Sequence, residues 1–350
     1  MESIVTALYK NRNISDEEIK ILLENNCQNV IAKYSQAVAR ENYGNKIFLR
    51  GLIEISNYCK NNCYYCGIRS GNRNICRYRL TLEEILSCCD LGYSLGLRTF
   101  VLQGGEDNHF SDDDVCRVVY SIKEKYPDCA VTLSIGEKEY ESYKAYFNSG
   151  ADRYLLRHET ANEGHYNKLH PDSMSLKNRK HCLYNLKEIG YQVGCGIMVG
   201  SPNQTTENII EDIRFMQELS PDMIGIGPFI PHKDTPFRNE KQGSVDLTLK
   251  LISILRLMFP NVLLPATTAL GTLQEKGREQ AILRGANVIM PNISPKTAKD
   301  NYTLYNNKLN TGLESAEGIE LLKKSLRDIG YEAVTDRGDR KGFVGQTKGK

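Results

Sequence analysis

From Phe48 to Asn292, short runs of branched and apolar residues alternate with longer stretches whose apolar positions recur at helical spacing. Eight runs have the length and composition of strands: Phe48 to Ile55, Thr99 to Gln103, Ala130 to Ile135, Arg153 to Leu156, Gln192 to Val199, Met223 to Ile226, Val262 to Pro265 and Asn287 to Met290. Helix signals fill the gaps. Thr81-Leu82-Glu83-Glu84 is a capping box, Ser111 precedes three Asp in a first turn, and Thr205 or Thr206 precedes Glu207 to Leu219. Asp246 to Leu257 and Gln274 to Arg284 also fit helices. Every crossover has helix length, so the pattern predicts an α/β fold, a (β/α)8 TIM-type barrel rather than an open doubly wound sheet.

The flanks read differently. Residues 1–45 form an N-terminal helical extension, in which Ser15 followed by Asp16, Glu17 and Glu18 is a capping box ahead of Ile19, Ile21, Leu22 and Leu23. Residues 46–293 carry the barrel without an evident linker. Residues 294–350 form a C-terminal segment closing the barrel, with a helix expected over Ser315 to Asp328 and a flexible tail, frayed from Asp336 onward.

Charge narrows the partners. Lys plus Arg number 45 against 43 Asp plus Glu, a formal +2, so nothing electrostatic argues for nucleic acid or a membrane as the main partner. No signal-peptide pattern opens the chain and no window approaches a membrane span, so a cytoplasmic protein is expected. Eleven cysteines, an odd number, do not resemble a disulfide framework. Cys27, Cys88, Cys89, Cys116 and Cys182 fall in helical patterns and read as packing residues, as does Cys76 with less support.

Chemistry concentrates where strands end. After the first strand come Cys59, Cys63 and Cys66, spaced C-x3-C-x2-C in a polar loop. Three thiolates are one short of closing a zinc site or saturating a 4Fe-4S cluster, so the trio implies a metal centre with an open position. Spacing alone also admits a structural zinc with His109 or His158 as the fourth ligand. The other strand ends add Gly104-Gly105-Glu106-Asp107, Thr132 and Ser134, Arg157-His158-Glu159-Thr160, Gly200-Ser201-Pro202, Gly227-Pro228-Phe229, Thr267-Thr268 and Pro291-Asn292. On a barrel these positions share one mouth.

With Tyr65 as the aromatic before the last cysteine, the loop resembles the signature of the radical S-adenosylmethionine (SAM) enzymes. GLIEISNYCKNNCYYCGIR (51 to 69), VLQGGED (101 to 107), RYLLRHETAN (153 to 162), MIGIGPFIPHKDTP (223 to 236), LPATTALG (264 to 271) and NVIMPN (287 to 292) are similar to words of the HydE-type FeFe-hydrogenase maturases, relatives of biotin synthase. The resemblance implies that Cys59, Cys63 and Cys66 bind a 4Fe-4S cluster whose fourth iron takes SAM, which is cleaved reductively to a 5'-deoxyadenosyl radical. It implies that Gly104, Gly105 and Glu106 receive the SAM ammonium, Glu159 the ribose hydroxyls and Arg179 the carboxylate, and that Met198 lies beside the adenine. It implies a lumen lined by Thr132, Arg157, Thr267, Thr268, Met290, Tyr302 and Tyr305, taking a small iron-CO-cyanide-cysteine precursor. An external electron donor and other hydrogenase maturases are the implied partners.

The last cysteine is Cys195, so an accessory cluster near the C-terminus is excluded. Cys129 and Cys195 fall on strands, where a sulfur-donating cluster of biotin-synthase type would need them to face inward. A radical SAM mutase of methylornithine-synthase type, a sulfur-inserting enzyme, and a non-catalytic cluster carrier remain the other readings.

Overall fold

A computed structural model describes residues 1–309 and 316–343. Three helices open the chain, α1 (Glu2–Asn11), α2 (Asp16–Glu24) and α3 (Gln28–Tyr43). The alternating body follows as β1 (Lys46–Leu49), β2 (Gly51–Ser56), α4 (Leu82–Ser94), β3 (Thr99–Gly104), α5 (Asp112–Lys125), β4 (Ala130–Ser134), α6 (Tyr140–Asn148) and β5 (Arg153–Leu155). It continues through α7 (Glu163–Leu169), α8 (Leu176–Ile189), β6 (Gln192–Cys195), β7 (Met198–Val199), α9 (Thr206–Leu219), β8 (Met223–Ile224), β9 (Gly227–Pro228) and α10 (Val245–Met258). Then come α11 (Thr268–Leu273), α12 (Gly277–Ile282), β10 (Val288–Ile289), α13 (Lys296–Asn301), α14 (Ile319–Asp328) and β11 (Glu332–Val334).

The strands run parallel in the order β2-β3-β4-β5-β6-β8, while β10 pairs with β1. Isolated bridges from Leu263 to Met223 and from Pro265 to Val288 join the two ends, so the ring closes as a barrel. Period-2 alternation explains its layers. On β4, Val131 and Leu133 join the hydrophobic layer beneath the helices, each burial stabilising by about 1.5–3 kcal/mol, while Thr132 takes the opposite face. The predicted caps form, because each rests on contacts within one helical turn: Ser15, Thr81 and Ser111 complete capping boxes, and Thr205, not Thr206, caps α9 with Asn208.

Four details differ from the sequence-based expectation. The first strand splits at Arg50, where pairing passes from β10 to β3: the Arg50 N–H still donates to the Ile289 carbonyl at 2.9 Å, and its guanidinium donates to the carbonyl of Gly338 at 3.1 Å. Val262 to Pro265 is a pair of bridges rather than a strand, since Pro265 has no N–H for a ladder. Gln274 to Arg284 is not one helix, because Gly277 packs against the Leu270 carbonyl and Lys276 takes a left-handed φ of 58°. The expected helix over Ser315 to Asp328 is a 3-10 turn, Ala316–Gly318, followed by α14; Ser315 lies outside the described residues.

The tail differs most. Expected to fray from Asp336, its described part, residues 336–343, instead seats at the barrel's lower mouth after β11 has paired with β1. Asp339 meets Arg153 at 2.5 Å and accepts from Gln192 at 2.7 Å; Arg337 reaches Asp152 at 3.1 Å and Arg340 reaches Asp222 at 2.5 Å. Inward charges on the strands need partners in a low-dielectric space, and this segment supplies them. Residues 344–350 lie outside the described residues.

Candidate active site

The cysteine loop leaves β2 at the upper rim. Its thiols are half-buried and free of disulfides. Burial pushes all three up, and Cys66 in particular to about 12 with the charge of Cys59 adding to it. Burial likewise raises Cys63, with Cys66 and Cys59 next in weight, so the three thiols share one desolvated space. Such thiols stay protonated unless a metal takes their charge, which is the chemistry of a cluster site. Among the described residues, no three His, Cys, Asp or Glu side chains converge as the ligands of one ion would. His158 lies in another layer, 3.6 Å from Asp212 and edge-on to Phe215, away from the loop.

Several supports fix the loop. Lys60 N–H donates to the Glu106 carbonyl at 2.9 Å, Tyr64 N–H to Leu169 at 3.0 Å and Gly67 N–H to Leu304 at 2.9 Å. The Arg77 guanidinium gathers carbonyls from both flanks, those of Ile68 (2.8 Å), Arg69 (2.7 Å), Asn72 (3.1 Å) and Asn57. Gly105 runs so close that a Cβ there would overlap the Tyr58 carbonyl and stand 2.7 Å from the Cys59 Cβ. The Cys63 sulfur lies 3.6 Å from that of Met174. Tyr65 reaches the ring of His170 at 3.2 Å.

Beside the loop stands a ring of charge. Arg179 pairs with Glu137 at 2.6 Å and approaches Glu106 at 3.5 Å, while Lys60 lies 3.6 Å from the other oxygen of Glu106. Burial works against the Arg179 charge, but the carboxylates of Glu137 and Glu106 more than offset it and hold the guanidinium protonated. Gly136, at φ 84°, lies where any side chain would overlap that of Glu106. Gly104 ends β3 against Ile55 and Ser56. Across the mouth, Glu159 sits at φ 64°, a left-handed conformation uncommon for its type, donates its N–H to Gly196 at 3.0 Å and pairs with Arg157 at 3.2 Å. Met198 packs with Leu169 and Phe229 against Tyr65 and Phe237.

The residues expected in the lumen divide into two groups. Thr132 and Thr267 hold buried hydroxyls with no hydrogen-bond partner among the described residues, and the Nε of Arg157 is in the same state. Met290 packs on an apolar floor with Phe48, Met223, Leu263 and Val288. Thr268 starts α11. Tyr302 and Tyr305 belong instead to the segment after α13; Tyr302 is buried, with its hydroxyl 3.4 Å from the Gln103 amide, and Tyr305 is half-buried. Cys129 and Cys195 lie in the hydrophobic layer under the helices and not toward the lumen.

Residues 53–216 match the family model of the radical SAM superfamily. The FeFe hydrogenase maturase subunit HydE of Thermotoga maritima is 44% identical over 309 residues, 88% of each chain. The chain belongs to the HydE family of radical SAM enzymes. The 4Fe-4S cluster and SAM are therefore its cofactors, and the desolvated thiol trio fits the first. HydE is not its sole relative: 3-methylornithine synthase of Methanosarcina barkeri is 30% identical over 346 residues, 95% of this chain and 96% of that one. The crystal structure of methylornithine synthase (PylB) matches with a TM-score of 0.84 at 26% identity, covering 95% of this chain and 97% of that chain. Among the described residues, no helix of this HydE-family chain is long and apolar enough to cross a membrane.

Sequence reasoning missed Glu137, His170, Arg77 and Met174. Glu137 and Arg77 carry no local signal, because their partners lie at least several residues away and on other turns of chain. His170, fixed through Tyr166 and Tyr65, had no motif around it. Glu54 and Lys308 were also missed: they form a buried pair across 254 residues of sequence.

Proposed function

We propose that this chain is the radical SAM maturase of an FeFe-hydrogenase assembly system, acting on a small iron-CO-cyanide-cysteine precursor. In this reading Cys59, Cys63 and Cys66 hold the cluster, Glu106 with Gly104 and Gly105 receives the SAM ammonium, Arg179 its carboxylate, Glu159 its ribose and Met198 its adenine face. When bound, the cluster supplies one electron to the SAM sulfonium, releasing methionine and a 5'-deoxyadenosyl radical. The chain's own residues orient and exclude water. Arg179 offers a fork that a carboxylate fills in place of Glu106, and the buried Glu106 then pairs with the incoming ammonium. Tyr65, Met198 and Phe229 present an apolar wall.

Below, the hydroxyls of Thr132 and Thr267, buried without a hydrogen-bond partner among the described residues, and the Arg157 guanidinium, which pairs with Glu159 and donates to the Ile197 carbonyl but keeps its Nε unpartnered, suit a small anionic guest. That set is the observation that carries the anionic substrate, together with the kinship to HydE. Thr268, Met290, Tyr302 and Tyr305 complete the proposed wall. Residues 1–45, 46–293 and 294–350 act as extension, catalytic barrel and closing segment, and the protein works in the cytoplasm.

Anaerobic maturation of an apo-hydrogenase, with and without this chain, tests the reading. Hydrogenase activity that needs the chain is expected; maturation that proceeds equally without it overturns the assignment. A mutase acting on an amino acid is the second reading, favoured by the backbone likeness to methylornithine synthase. Formation of methylornithine by the reduced, SAM-loaded protein would select it.

A further inference from the structure

A groove of about 490 Å3 opens beside the cysteine loop, between the turn at 69–74 and the loop at 233–238. Arg69, Arg73, Lys233 and Arg238 line it against one carboxylate, Asp234. That carboxylate is occupied: it accepts from the Asn74 amide at 2.9 Å and lies 4.0 Å from the His232 ring. The whole chain carries only +2, so four cations to one acid is a local concentration and not a reflection of net charge. Arg73, Lys233 and Arg238 are exposed, with their charge directed to whatever approaches this face.

The groove is also built into the cluster loop. The Arg69 N–H donates to the Cys66 carbonyl at 3.2 Å, and the Ser70 N–H donates to Asn61 at 2.8 Å. Gly71 N–H binds the Asn62 side chain at 3.0 Å. The opposite wall is pressed against the same loop, since a Cβ on Gly67 would stand 2.5 Å from the His232 ring. One backbone hydrogen bond therefore separates the lining of the groove from Cys66.

Each SAM cleavage in the function proposed above consumes one electron from outside the chain. We propose that this groove is the docking surface of an acidic one-electron carrier protein, held by Arg73, Lys233 and Arg238 and delivering its electron by way of the Arg69–Cys66 segment. The carrier is oxidised by one electron and the cluster is reduced by one; no bond forms or breaks and no proton moves. Opposite charge on the two faces speeds encounter and fixes orientation, and salt weakens both effects. The inference rests on the radical SAM reading of the cysteine loop.

The test compares the reconstituted full chain with an Arg73→Glu, Lys233→Glu, Arg238→Glu variant. A control with Lys10→Glu, Lys33→Glu and Lys324→Glu, exposed positions elsewhere on the surface, has the same net charge as that variant. Two quantities are read: affinity for a purified acidic ferredoxin, and the rate at which cluster absorbance bleaches with reduced ferredoxin or with photoreduced 5-deazariboflavin, a small uncharged reductant. The groove variant is expected to lose about tenfold or more in affinity and in ferredoxin-driven rate, with the wild-type rate falling as salt rises. The control is expected to keep both, and the small reductant to bleach all three proteins alike. Unchanged ferredoxin binding and rate in the groove variant overturns the proposal, as does an equal loss with the small reductant or in the control. If the small reductant bleaches no cluster in the wild type, the radical SAM reading itself fails.

Discussion

The hydroxyl of Tyr65 lies 3.2 Å from Nε2 of His170, whose Nδ1 lies 3.0 Å from the carbonyl of Tyr166. A carbonyl only accepts, so Nδ1 carries the hydrogen; burial pushes the ring down to about 3 and keeps it neutral, so Nε2 accepts from the phenol. The ring also stacks on Tyr166 with centroids 4.0 Å apart. The aromatic beside Cys66 is thus held by a histidine 105 residues away.

This geometry has a pH signature. The unfolded chain protonates His170 near its ordinary value of 6.5 while the folded chain resists until about pH 3. The stability it contributes is complete above 6.5 and is lost as pH falls through that window, at up to about 1.4 kcal/mol per pH unit. His170→Gln should flatten that fall. Urea midpoints of both proteins at neutral and mildly acid pH measure it, and parallel losses would mean that the ring is not held neutral.

Cys63→Ala should abolish SAM cleavage and cost less than about 1 kcal/mol of stability, because the loop adds little to the core. Detection of 5'-deoxyadenosine beside a thermal melt checks both. Retained cleavage would remove Cys63 from the proposed cluster site.

Arg179→Lys should weaken SAM binding about tenfold or more, because an ammonium cannot bridge Glu137 and a second carboxylate as the planar fork does. Titration of SAM by calorimetry reads the loss. Equal affinity would place the SAM carboxylate elsewhere.

Arg77→Lys should speed iron loss to a chelator, since three donors cannot serve the four carbonyls that the guanidinium gathers. A local cost of about 1–3 kcal/mol is expected from the carbonyls left unpaired. Iron retained after timed exposure is the measurement, and wild-type retention would show that the loop closes without this clamp.

Asp339→Asn should destabilise the protein by about 2 kcal/mol, because the buried Arg153 guanidinium loses its carboxylate at 2.5 Å. A matching effect from deleting residues 336–350 would assign the cost to the tail segment seated at the lower mouth, whereas an unchanged denaturant midpoint in both would mean that the lower mouth stays closed without it.

The sequence by itself determined the features that depend on neighbours along the chain. Strand runs follow from period-2 alternation, the Ser15, Thr81 and Ser111 caps from residues three apart, and the cysteine site from thiols within eight residues of one another. Interruptions at Arg50 and Pro265 were harder to see, because a strand's apolar pattern continues across a residue where pairing changes partner. Only the tertiary structure decided what depends on distant segments meeting. The tail reads as frayed because Asp339 and Arg340 are polar and Gly-flanked, yet Arg153 and Asp222 wait for them at the lower mouth. Lys308 reaches Glu54, Arg179 stands between Glu137 and Glu106, and Thr132 and Thr267 have no hydrogen-bond partner among the described residues for the same reason. Closing a barrel brings the ends of distant strands into a space without water, where every charge and hydroxyl must find a partner that no local pattern names.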